Sequence, residues 1–135
     1  MRFLAIDLGD KRTGIAVGDD ELHMAQPVCV LEVLIGELLI NAIVKTIEEQ
    51  GVDALVIGLP LNMDGTSGQR VVLTKAFASK LEIATNMPLH FQDERLTSSA
   101  AEEKLSGSGK THKQKKKMRD ALAAAEILND FLAQL

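Results

Sequence analysis

The sequence predicts an α/β fold: a mixed five-stranded sheet, three antiparallel strands followed by two parallel ones, flanked by helices in the order βββαβαβαα. Two observations carry this. Up to Leu34 the chain holds three runs rich in Val, Ile and Leu separated by turns, the pattern of a meander. From Ile35 onward, apolar runs of strand length alternate with segments of helical period, and such crossovers place their strands parallel.

"RFLAIDL" (2–8) reads as the first strand and "TGIAVGD" (13–19) as the second, with "GDKR" between them short enough for an antiparallel hairpin. "MAQPVCVLEVL" (24–34) suits a third strand, whose beginning Pro27 pushes towards an edge or a bulge. Ile35, Leu38, Leu39, Ala42, Ile43 and Ile47 then recur at helical spacing, and Gly51 supplies the stop. "VDALVIGLP" (52–60) is a continuous apolar run, as in a strand covered on both faces, which implies a central place beside the first strand. A second helix puts Leu73, Ala76, Phe77, Leu81 and Ala84 on one face, and "PLHFQDE" (88–94) is the fifth strand. "LTSSAAEEKL" (96–105) begins a third helix, with Ser99 and Glu102 at capping-box spacing. "SGSGKTHKQKKK" (106–117) lacks periodicity and reads as a loop. The last helix is expected from about Met118, with Ala121, Ala124, Ala125, Leu128, Phe131, Leu132 and Leu135 on one stripe. Residues 1–135 read as one domain without internal repeats.

With 46% hydrophobic and 25% charged residues, the chain has the balance of a soluble globular protein. Four Phe and no Trp or Tyr leave few platforms for stacking bases, which argues against a general single-strand binder. The single Cys29 lies in an apolar run and reads as an inert thiol. "MRFLAIDLG" reaches a charge too early for a signal peptide and no apolar run approaches a membrane span, so a cytoplasmic location without a membrane partner is expected. The net charge of −4 hides an asymmetry: "KTHKQKKKMR" (110–119) holds six of the fifteen Lys and Arg and no acid, so the rest sets nine cations against 19 acids, a balance of −10. An acidic body with one basic segment follows.

Three acids fall where such a sheet could gather them. Asp7 ends the first strand, Glu94 ends the fifth, and Asp120 begins the expected final helix. If the fourth strand lies between the first and fifth, parallel strands present Asp7 and Glu94 at one carboxyl edge, where α/β sheets build their sites. The final helix can lay its first turn across that edge, and Ala123 and Ala124 would let its backbone come close. Converging carboxylates repel unless cations neutralise them, and oxygen ligands suit Mg²⁺ or Mn²⁺ rather than Zn²⁺. Two such ions can activate a water and stabilise a leaving oxygen, which is the chemistry of phosphodiester hydrolysis.

"DLGDKRTGIAVGD", "VIGLPLNMDGTSG", "QDERLTSSAAE" and "DALAAAEIL" resemble, in order and spacing from Asp7 to about Leu128, the bacterial YqgF family of Holliday-junction-resolvase-like, pre-16S rRNA nucleases. The resemblance implies a ribonuclease-H-like fold, metal-dependent phosphodiester cleavage and a cytoplasmic part in maturing the 5′ end of 16S ribosomal RNA. It assigns catalysis and metal binding to Asp7, Glu94 and Asp120, and selects Glu94 over its neighbour Asp93. Relative to the junction resolvases proper, the fourth strand here ends in Gly58, with no acid. The implied partners are structured RNA or branched DNA, and ribosomal precursor particles, with the protein a monomer or weak dimer.

The remaining candidates are phosphate contacts. Lys11 and Arg12 follow Asp7 in the hairpin turn, and Arg12 can grip a phosphodiester with two N–H groups. Arg95 adjoins Glu94, either as another such contact or as an ion-pair partner. Asn62 and the amides of "GLPLNMDGTSG" could border the site, and Asp64 lies in the same loop. Lys110, Lys113, Lys115, Lys116 and Lys117, just ahead of Asp120, fit capture of an RNA backbone without sequence selection. "SGSGKT" is not a phosphate-binding P-loop, because Lys104 stands where that motif needs its first glycine. Four other readings compete: Asp7 as an ordinary turn-forming Asp, a phosphotransferase built on the "DLGDKRTGIAVG" hairpin, a non-catalytic RNA or ribosome-binding module on the same fold, and a DNA junction resolvase in place of the RNA enzyme.

Overall fold

The computed structural model describes residues 1–94 and 112–135, the side chains of 112–117 excepted. Its five strands are β1 (Arg2–Asp7), β2 (Thr13–Asp19), β3 (Met24–Leu31), β4 (Ala54–Leu59) and β5 (Leu89–Asp93). Three helices accompany them: α1 (Glu37–Gln50), α2 (Gln69–Thr85) and α3 (His112–Ala133). They form one mixed sheet in the order β3-β2-β1-β4-β5, antiparallel through the first three and parallel from β1 to β4 and β5. The expected mixed topology is therefore present, and β4 is central beside β1. The bulge expected around Pro27 is present as well, as a shift in the β2–β3 register between Ile15 and Ala16.

Side chains alternate between the faces of a strand, and here each face has its own core. Leu4, Ile6 and Leu8 of the first strand and its exit pack with Leu55 and Ile57 of β4 beneath Leu39, Ile43, Phe77 and Leu81 of α1 and α2. On the opposite face Phe3, Ala5, Ala16, Ala54 and Val56 pack against Ala124, Ala125, Ile127, Leu128 and Leu132 of α3. The small residues at this second interface let α3 lie close to the sheet. A Cβ on Gly14 would fall 1.9 Å from the Asp120 carbonyl oxygen, so only glycine admits the helix at that distance.

Several boundaries differ from expectation. β3 ends at Leu31 rather than Leu34. Gly51, in the left-handed conformation at φ 62°, ends α1 as the sequence indicates. In α2 the inner face is Val71, Thr74, Phe77, Ala78 and Leu81. Leu73, Ala76 and Ala84, expected inside, line a surface groove with Ile35 and Ile40. Apolar residues on α2 lie nearly all round, so spacing alone does not pick the packed stripe.

The last helix begins at His112, six residues before the expected start, because Lys and Gln are good helix formers even without an apolar stripe. The loop expected over 106–117 is thus helical from 112. Asp120 consequently lies two turns inside α3 and does not open it. The helix expected at 96–105, with Ser99 and Glu102, lies outside the described residues.

Candidate active site

Face parity explains how two acids from separate strands, Asp7 and Glu94, come to one edge beneath α3. Phe3 and Ala5 face α3, so Asp7, two further along β1, does too; Val56 faces α3, and with it Gly58. In β5, His90 stacks on Phe131 of α3, with ring centroids 5.3 Å apart, and Glu94 shares its parity. The Glu94 amide donates to the Leu59 carbonyl at 3.3 Å, which extends the β4–β5 ladder just past Asp93. Asp7, Gly58 and Glu94 thus share the carboxyl edge of three parallel strands, beneath α3.

Gly58 gives the missing acid of β4 a physical meaning. A Cβ built there would lie 2.2 Å from Glu94 Oε2 and 2.7 Å from Ile127 Cδ1. The Glu94 carboxylate therefore fills the space above β4 that a side chain from β4 itself would take. The carboxylate reaches its place from the neighbouring strand.

Electrostatically, burial and the crowding of carboxylates dominate among the described residues of the site. Burial first, and then the negative charges of Glu94 and Asp120, push Asp7 up to about 8, and a hydrogen bond with Glu94 adds to this. Glu94 is raised as well, chiefly by burial, while its bond with Asp7 and the charge of Arg70 act in the opposite direction. At neutral pH Asp7 accordingly keeps its proton and donates it to the Glu94 carboxylate. Asp120 lies beside this pair and is ion-paired with Arg12, Nε to Oδ2 at 3.4 Å.

Such a site suits a hard cation. The donors are carboxylate oxygens, the ligands that Mg²⁺ and Mn²⁺ prefer. A retained proton on a partly buried Asp marks a place where a cation would relieve repulsion, since metal and proton compete for the same lone pairs. Among the described residues, however, no three His, Cys, Asp or Glu side chains are drawn together closely enough to form a ready cage. What stands in place is two carboxylates in contact, with Asp120 held to one side by Arg12.

The other candidates divide. Lys11 is exposed in the β1–β2 turn, and Arg12 is half exposed with its charge directed to Asp120. Asn62 and Asp64 organise their own loop. The Asn62 side-chain amide donates to Thr66 Oγ1 at 3.0 Å, and Asp64 accepts from the Thr66 amide at 3.0 Å and from its hydroxyl at 2.6 Å. Asn62 thus helps to hold the turn that leads into α2. Arg95 and Lys110 lie outside the described residues. Lys113, Lys115, Lys116 and Lys117 occupy the first two turns of α3.

One residue of the site carries no mark in the sequence. Arg70, second in α2, donates from Nη2 to the Leu8 carbonyl at 2.7 Å and from Nη1 to the Asp10 carboxylate. Among the described residues it is the cation whose field reaches both Asp7 and Glu94. A lone Arg in a helical first turn reads as a solvated charge. The available clue is indirect: its helix follows the loop that leaves the carboxyl end of β4, the edge where Asp7 sits.

Comparison with known proteins agrees with this architecture. The chain is 40% identical over 132 residues to an Anaeromyxobacter sp. (strain Fw109-5) protein described as "Putative pre-16S rRNA nuclease", covering 98% of this chain and 96% of the other. A Maridesulfovibrio salexigens protein of the same description is 37% identical over 134 residues, covering 99% of each. Among solved structures, the fowlpox virus resolvase in complex with Holliday junction DNA superposes with a TM-score of 0.63 at 9% identity, covering 99% of this chain and 98% of that one. Thermus thermophilus RuvC gives a TM-score of 0.56 at 16% identity over 99% and 96%. At those identities the likeness is one of fold, the RuvC-like form of the ribonuclease-H architecture. The RuvX model, described as Holliday junction resolvase, matches residues 1–134, and on this match together with the curated relatives the chain belongs to the RuvX family.

Proposed function

We propose that this protein is a metal-dependent nuclease that hydrolyses phosphodiester bonds in structured RNA, with the precursor of 16S ribosomal RNA as its substrate, and that residues 1–135 act as one nuclease domain. The observation that carries the reading is the Asp7–Glu94 carboxylate pair at the sheet's carboxyl edge, where burial and crowding hold a proton on Asp7. The RNA assignment draws on the description shared by relatives at 37–40% identity over nearly the whole chain.

Asp7, Glu94 and Asp120 are the residues that would hold Mg²⁺ or Mn²⁺. Two such ions would supply activation of the attacking water and stabilisation of the leaving oxygen. The protein's own contribution is to orient and to neutralise. Asp7 must give up its proton for the site to charge, and Glu94, folded over Gly58, presents its oxygens to the same space. Arg12 restrains Asp120, and with Lys11 it would contact the incoming phosphodiester. Lys110, Lys113, Lys115, Lys116, Lys117 and Arg95 offer the positive charge that an acidic body lacks, giving affinity for backbone without sequence selection. Asn62 acts from the loop before α2. Ribosomal precursor particles in the cytoplasm are the setting in which such a substrate is met.

The direct test is cleavage of a pre-16S rRNA fragment by purified protein with Mg²⁺ or Mn²⁺, comparing the wild type with Asp7→Asn. Metal-dependent cleavage that the substitution abolishes, with the fold retained, supports the reading. Cleavage at an undiminished rate removes Asp7 from the mechanism. A four-way DNA junction is the second substrate to measure, because the RuvX family is described as one of junction resolvases.

A further inference from the structure

The turn between β1 and β2 and the first turn of α2 come together through one side chain. Arg70 sends Nη2 to the Leu8 carbonyl at 2.7 Å, one residue past Asp7, and this contact is partly buried. Its other terminal nitrogen, Nη1, meets the carboxylate of Asp10. The two ends of the ion pair differ in exposure: the Arg70 side chain is 35% exposed and that of Asp10 80%. The guanidinium is thus fixed by a backbone carbonyl on one side and capped by a solvated anion on the other.

A carboxylate and a phosphodiester ask the same thing of an arginine, an anionic oxygen along an N–H direction, and here the N–H that Asp10 takes is that of Nη1. An exposed ion pair is also weak, because solvent competes for both partners. Asp10 can therefore be displaced by an anion of matching geometry, whereas the Leu8 contact keeps the guanidinium beside Asp7 throughout. The cation left facing outward stands one residue past Asp7, and its charge reaches both Asp7 and Glu94.

We propose that Arg70 is a phosphate-binding residue for the nucleic-acid backbone, and that Asp10 is an internal stand-in which occupies its outward Nη1 until a phosphodiester displaces it. This rests on the nuclease reading above and adds to it the residue that fixes the backbone next to the scissile site. Asp10 consequently works against substrate binding although it lies in the same turn as Lys11 and Arg12.

The two residues should change binding in opposite directions, which a merely structural role for the Arg70–Asp10 pair would not do. Binding is read by fluorescence anisotropy without divalent metal, so that no cleavage occurs, over a series of salt concentrations. The probes are an RNA hairpin with a 5′ single-stranded extension and a four-way DNA junction. Arg70→Gln should weaken binding and lower the slope of log K against log salt by about one, the loss of one phosphate contact. Arg70→Lys should keep most of that slope, which guards against an Arg70→Gln variant that folds poorly. Asp10→Asn should tighten binding by about two- to fivefold, the worth of the exposed pair that phosphate no longer has to break. These effects on either probe support the proposal and say which backbone the site takes. Wild-type slope in Arg70→Gln, or weaker binding by Asp10→Asn, overturns it while leaving the nuclease reading intact. Failure of the wild type to bind either probe overturns both.

Discussion

Asp7 is a group whose folded environment favours its proton, and this has a measurable sign. Its value is pushed from 3.8 to about 8, so between those limits the unfolded chain has released a proton that the folded chain retains. Stability without metal is then greatest at acid pH and falls as pH rises through this window, by up to about 1.4 kcal/mol per pH unit for one proton. Glu94, also raised, adds to the fall in the same direction. Denaturant titrations in chelator at a series of pH values check this: the wild type should lose stability towards pH 8, and Asp7→Asn should flatten the dependence. The same substitution should reduce metal-dependent cleavage by at least about a hundredfold, as when a preorganised electrostatic group is lost from a transition state. Mn²⁺ should raise the melting temperature of the wild type more at pH 8 than at pH 6, because it competes with the Asp7 proton.

At this scale the sequence is legible where residues sit in motifs and silent where they act through space. Asp7, Glu94 and Asp120 could be picked out because each ends or flanks an element at a shared edge, with a family resemblance to choose Glu94 over Asp93. Arg70 could not, because its role depends on a contact across 62 residues, to Leu8, that no local pattern announces. Asn62 was visible as a loop polar group, yet its side chain holds Thr66, an outcome that depends on how the loop folds.

Among the elements, the approach of α3 to the sheet decides where Asp120 can stand. Gly14→Ala would put a methyl group against the backbone of Asp120 and Ala121, which cannot yield as a side chain could. It should cost about 1–3 kcal/mol in denaturant stability, as overpacking does, and it should impair cleavage by shifting Asp120. Gly58→Ala meets side chains instead, Glu94 and Ile127. Its cost should therefore fall on activity more than on stability, and the ratio of the two losses, measured on the same preparations, checks the assignment of the space over Gly58 to Glu94. Strand identity and order were readable from alternation and run length. The start of α3 was not, since a Lys-rich stretch carries helix propensity without an apolar period, and the packed stripe of α2 was hidden by apolar residues on both its faces.

Across the whole molecule, two cores share one sheet, with α1 and α2 on one face and α3 on the other. β1 and β4 contribute to both, so neither core can be lost without exposing the strands of the other. A single cooperative unfolding transition, with coincident far-UV and calorimetric midpoints, is the expected outcome for two cores built on one shared sheet. The uneven charge, six cations within 110–119 against −10 elsewhere, should make nucleic-acid affinity fall steeply with salt.

All of this converges on one region, the space shared by Asp7, Glu94 and Asp120. The most direct measurement is anomalous scattering from a crystal equilibrated with Mn²⁺ near pH 8. The account predicts an anomalous peak bounded by these three carboxylates, with the Asp7–Glu94 hydrogen bond broken. Manganese bound elsewhere, or no peak while Asp7 still donates to Glu94, would contradict it.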